Sequence, residues 1–126
     1  MIEQAIKTAL ERITGLLAYP LLLPKSATTG VTFQRISDPE LNTGLVRSGV
    51  VEGRFQITLY VVDDFSQLVA LDKAIWRDWH SLVHGNLEGY PVQYIERAGL
   101  QDSAIPLNDG STLYRRARDY LITFSE

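Results

Sequence analysis

Between Val51 and Val62 the chain alternates with a period of two: Val51, Phe55, Ile57, Leu59 and Val61 fall on one side, and Glu52, Arg54, Gln56, Thr58 and Tyr60 on the other. That pattern belongs to a strand with one dry face and one wet face. The dry face needs a packed layer, and two helical segments offer one. From Ile2 to Leu17 the apolar residues Ile2, Ala5, Ile6, Ala9, Leu10, Ile13, Leu16 and Leu17 recur at helical spacing, with Gly15 weakening the helix and Pro20 stopping it. A second helix begins after Asp64, an N-cap with Gln67 at the third helical position, and is predicted to run to Gly85. Its stripe is Leu68, Leu71, Ile75, Trp79 and Leu82, and Asp72 falls inside that stripe. An acid on a core face has to be paired.

Three further strands are predicted, over Val31–Ile36, Tyr90–Arg97 and Leu113–Phe124. Tyr19–Gly30 reads as an ordered connector, and Gly99–Ser111 as a turn-rich link. The resulting α-β-β-α-β-β order suggests an α+β, two-layer sandwich: a four-stranded, largely antiparallel sheet with both helices on one face. At 126 residues the chain is expected to be one domain, 1–126, because halves would be too small to bury good cores. Ser37–Val50 is longer than a hairpin needs and carries Leu41, Leu45, Val46 and Arg47 among turn residues. Those residues are the candidate self-association surface, the alternative being a plain surface loop.

Several function classes find no support. With 12 basic against 15 acidic side chains the net charge is −3, which lacks the basic excess of a phosphate-neutralising protein. The absence of cysteine removes disulfides and thiolate chemistry and fits a reducing compartment. The Leu21–Leu23 run falls far short of the roughly 20 apolar residues of a membrane span, and the opening Ile2-Glu3-Gln4 does not begin a signal peptide. A soluble protein with no membrane contact is expected. His80 and His84 have metal-ligand spacing, but Ser81 stands where an H-E-x-x-H site needs glutamate, so both are read as solvated helix residues. Asp63 and Asp64 are explained by capping, and Trp76 and Trp79 by core packing. Gly44, Gly49 and Gly53 fit neither a P-loop nor a dinucleotide fingerprint, and no nucleophile elbow occurs. No catalytic, cofactor or metal residues are assigned.

The opening helix Met1-Ile2-Glu3-Gln4-Ala5-Ile6, the run Val31-Thr32-Phe33-Gln34-Arg35-Ile36-Ser37 with its long loop, Arg54-Phe55-Gln56-Ile57, Val83-His84-Gly85, and Leu113-Tyr114-Arg115 through Asp119-Tyr120 occur in one order along nearly the whole chain. In that order they resemble the phage tail completion, or tail-terminator-like, proteins of siphophage and prophage tail gene clusters. The resemblance implies a structural virion protein that forms a homo-oligomeric ring, a hexamer, on the tail tube protein. The ring would stop tube growth and dock the head–tail connector protein, while DNA passes through the lumen without specific binding. It also implies assembly in the host bacterial cytoplasm and a final place in the virion tail. A head-closure or neck adaptor in head–tail joining is the alternative.

Arg116 and Arg118 stand where that family alternates aliphatic residues, and Asp72 where it has a small one. If the last strand alternates regularly, both arginines face the core with Tyr120, Ile122 and Phe124. Asp72 is then expected to accept a charge-assisted hydrogen bond from Arg116 or Arg118. A β-bulge near Asp119 would instead turn both arginines outward and leave Asp72 bonded to Trp76 or to water.

Overall fold

The computed structural model describes residues 1–44 and 46–126, less the side chains of Thr43 and Val46. Its elements are helix α1 (Ile2–Thr14), strands β1 (Ala18–Pro20), β2 (Gly30–Ser37), β3 (Glu40–Thr43) and β4 (Val46–Val62), helix α2 (Phe65–Trp79), and strands β5 (Val83–Leu87), β6 (Tyr90–Pro106) and β7 (Thr112–Ser125). The expected four-stranded, largely antiparallel two-layer sandwich is corrected by this order. The strands form one seven-stranded mixed sheet in the order β1-β2-β4-β7-β6-β5, with β3 also on β4, and it curls into a half-barrel.

The correction has local causes. β1 is three residues long, contains Pro20, and pairs in parallel with β2 at Ala18–Val31, so it shows no period and reads as connector. Proline is tolerated there because β1 is an edge strand. Ser37–Val50 is not a loop: β3 and the first residues of β4 form a hairpin, with Glu40 opposite Val51. β2 and β3 therefore lie end to end along one side of β4. β6 runs on to Pro106 through an irregularity between Arg97 and Leu100, where one added residue breaks the alternation that a sequence pattern shows. α2 stops at Trp79, and His84 belongs to β5 with φ 48, so the two histidines do not share a helix face.

β4 and β7 form the spine of the sheet, in continuous register from Val50 opposite Ser125 to Val62 opposite Leu113. Both helices pack on the face that carries Phe55, Ile57, Leu59, Tyr120, Ile122 and Phe124, and the buried side chains form one cluster there with Ile2, Ile6, Leu10, Leu68, Ile75 and Trp79. Arg35 extends over the Phe55 and Phe124 rings, at 5.4 and 5.5 Å, and its guanidinium reaches Glu3 of α1 and Glu126 beyond β7. The other face carries no helix and is mostly polar. Among the described residues, no helix is long and apolar enough to cross a membrane.

Gly53 lies on the helix-bearing face, opposite Ile122. A Cβ there would meet the Phe55 ring at 2.5 Å and the Phe124 ring at 3.0 Å, so those rings close over bare backbone. Alanine normally gains several tenths of a kcal/mol over glycine in a strand. Here crowding dominates, and Gly53→Ala is expected to destabilise by about 1–3 kcal/mol in chemical denaturation. An unchanged midpoint would overturn this packing argument.

Candidate functional site

The continuous β4–β7 register places Arg116 opposite Leu59 and Arg118 opposite Ile57, so both arginines enter the helix-bearing face. No bulge interrupts β7; the irregularity sits on β6 instead. Asp72 of α2 descends onto the same spot and is 3% exposed. Its Oδ2 accepts from Arg118 Nη2 at 3.0 Å and from Arg116 Nη1 at 3.2 Å, and its Oδ1 from Arg118 Nε at 3.4 Å.

The arginines are not equivalent. Arg116 also donates to both oxygens of Asp102 on β6, at 2.8 and 2.9 Å, and lies 5.7 Å from the Phe65 ring. Hydrogen bonding to Asp102 raises its pKa further, against the opposing effect of burial. Arg118 has no second carboxylate among the described residues; its other contact is the Ala98 carbonyl at 3.5 Å, beside the β6 irregularity. Asp102 was hidden from sequence reasoning because its segment reads as a turn, which has no face parity to follow.

Tyr120 and Trp79 pack edge-on beside this cluster with ring centroids 4.9 Å apart, and Trp76 stacks on Tyr120 at 6.2 Å. The Tyr120 hydroxyl and Trp79 Nε1 are buried without a partner among the described residues. Burial, followed by the charge of Asp72, pushes the Tyr120 hydroxyl well above the ordinary tyrosine range. On α2's outer side Arg97 covers Trp76 at 5.2 Å.

The candidate self-association residues lie elsewhere, on the β3–β4 hairpin. Leu41 is 42% exposed, and Arg47 is exposed and bonded to Glu40 at 3.1 Å. Leu45 lies outside the described residues; Val46 begins β4. The hairpin and the Asp72 cluster are not brought together. His80 is exposed and turns Nδ1 toward the Arg77 carbonyl at 2.8 Å, and His84 is exposed on β5. No group of three or more His, Cys, Asp or Glu suited to a metal occurs among the described residues.

No family model and no curated protein matches the sequence. Solved structures do match. One aligns over 98% of this chain and 97% of its own, with TM-score 0.53 and 12% identity. Another, from the virion of a native gene transfer agent particle, aligns over 97% of this chain and 90% of its own, with TM-score 0.51 and 12% identity. At such identities the likeness shows a shared fold.

The cluster has two testable consequences. Removing Asp72 leaves Arg118 with no carboxylate but leaves Arg116 with Asp102. Asp72→Ala is therefore expected to cost about 3 kcal/mol. Double-mutant cycles with Arg118→Met should give a larger coupling energy than cycles with Arg116→Met. Equal couplings would show that Asp102 does not hold Arg116 independently.

The second consequence is alkaline. With the folded pKa of Tyr120 above the unfolded value of about 10, the unfolded chain loses this proton first. The stability that Tyr120 contributes is thus complete below about pH 10 and falls as pH rises toward the folded value. Tyr120→Phe, which removes an unpartnered hydroxyl, should keep neutral-pH stability within about 1 kcal/mol and flatten the alkaline decline. Parallel declines in both proteins would place the titration elsewhere.

Proposed function

We propose that this chain is a structural protein of a phage-like virion, and more narrowly a ring-forming tail completion or tail-terminator subunit. The observation that carries the coarser part is the end-to-end fold match to a chain of a gene transfer agent virion: nearly all of each chain is used, so the fold corresponds to the neighbour's whole unit and not to a fragment of it. The narrower part rests on the sequence resemblance together with the shape of the β3–β4 hairpin. That hairpin is backbone-paired and displays Leu41, so it can carry an apolar side chain to another subunit without losing the entropy of ordering a free loop.

In this reading the chain is not an enzyme and acts by assembly. Copies meet head to tail in a closed ring, a hexamer, through the hairpin residues Leu41, Leu45, Val46 and Arg47. The ring seats on the end of the tail tube, blocks further addition of tube protein, and offers its other side to the head–tail connector. The acidic net charge suits a lumen that lets DNA pass without holding it.

Co-expression with the tube protein of the same particle tests the reading. Electron microscopy should show tubes of bounded length with one closed ring of this chain at the end. Leu41→Asp combined with Arg47→Glu should preserve the circular dichroism spectrum while leaving tube ends uncapped. Rings that persist in the double variant would exclude the hairpin as the contact. A chain that ignores tube ends and binds portal-side adaptors would be a neck adaptor instead.

A further inference from the structure

The helix-free face of the sheet holds an arginine that has no counter-charge among the described residues. Arg115 projects from β7 between Tyr60 on β4 and Ser103 on β6. Its Nε and the Ser103 Oγ are both buried and have no hydrogen-bond partner among the described residues. Every other arginine is accounted for. Arg12, Arg35, Arg47, Arg54, Arg116 and Arg118 pair with carboxylates, and Arg77 and Arg97 are exposed to water.

The carboxylates of this face cannot serve Arg115. Glu52 and Glu96 lie toward the other end of the face, opposite Thr123 and Leu121. Asp119 is held by Arg54 at 2.9 Å and Gln56 at 3.3 Å. At the near end Asp63 accepts from the Thr112 amide and Asp109 from Ser111.

Arg115 lines a cleft of about 240 Å³ whose wall carries Thr58, Tyr60 and Gln101 and whose rim carries Leu21 and Leu22, 62% and 79% exposed. We propose that this cleft binds a carboxylate, presented by an acidic side chain next to an apolar one on a segment of a neighbouring protein. The planar Nε–Nη edge of a guanidinium meets both oxygens of a carboxylate. Aiming that edge into the cleft forfeits no bond to Nε–H, since no protein oxygen meets it now. The apolar neighbour would cover Leu21 and Leu22. Nucleic acid fits less well, because a phosphate backbone is held by a row of cations and this cleft supplies one. The inference is independent of the ring contact through the β3–β4 hairpin.

Side-chain NMR of the arginine Nε–Hε groups tests it on the intact chain, with the Arg115 signal assigned from Arg115→Lys. The probes are N-acetyl-Leu-Glu-amide, its Leu-Gln counterpart and inorganic phosphate at matched ionic strength. The glutamate peptide should shift the Arg115 signal saturably and at least tenfold more tightly than the glutamine peptide. Arg115→Met should abolish the discrimination, read from the Gln101 side-chain amide, while keeping or raising the melting temperature. No saturable shift, equal response to the two peptides, tighter binding of phosphate, or a lower melting temperature for Arg115→Met would each overturn the proposal.

Discussion

The ladder between β4 and β7 runs without a bulge from Val50 to Val62 and from Leu113 to Ser125, and the period of two makes every residue on it answer to every other. Once Phe55 and Tyr120 share the helix-bearing face, parity sends Arg116 and Arg118 to that face as well and Arg115 to the opposite one. Neither arginine could be turned outward without slipping the register and exposing Phe124 and Ile122. The ladder therefore imposes two guanidinium groups on the core, and α2 meets them with the one acid in its apolar stripe. Asp72 belongs there as a consequence of β7's register, not as a local feature of its helix.

Burying such a group is a weak source of net stability, because desolvating three charges offsets most of the attraction. Its effect is on orientation. A helix lying on a sheet by apolar contact alone can slide or rotate at little cost, whereas Asp72 satisfies both arginines in one placement. That placement also fixes Trp76 and Trp79 against Tyr120. At the far end of the same face Arg35 plays a comparable part with fewer desolvated charges, tying α1 and the last residue to the rings of Phe55 and Phe124.

The parts legible in the sequence were those in which periodicity survives. The α1 stripe, the Asp64 cap, the alternation of β4 and the parity of β7 follow from side-chain pattern alone, and with them the meeting of Asp72 with the last strand. What was lost is what breaks the pattern. β1 is too short to alternate, the β3–β4 hairpin is rich in Gly, Ser and Asn, and β6 changes parity near Ala98 and Gly99, so three pieces of sheet read as connector, loop and turn. The regular strands alone make a four-stranded sheet. The same blindness hid Asp102 and Ser103, whose faces can be assigned only once β6 is known to continue past its irregularity.

Those irregular pieces are also where the molecule departs from an economical two-layer sandwich. β4 and β6 are 17 residues each, and their paired ribbons carry exposed apolar residues: Leu41 on β3 against β4, Leu100 and Ile105 on β6. Extending strands beyond the covered layer adds exposed apolar surface and little burial, which works against a chain that acts alone. It suits one whose ribbons meet neighbours, since their backbone order is already set by pairing and only side chains need be fixed on contact. In the reading proposed above, assembly would draw on the same excess of strand that makes the fold hard to see in the sequence.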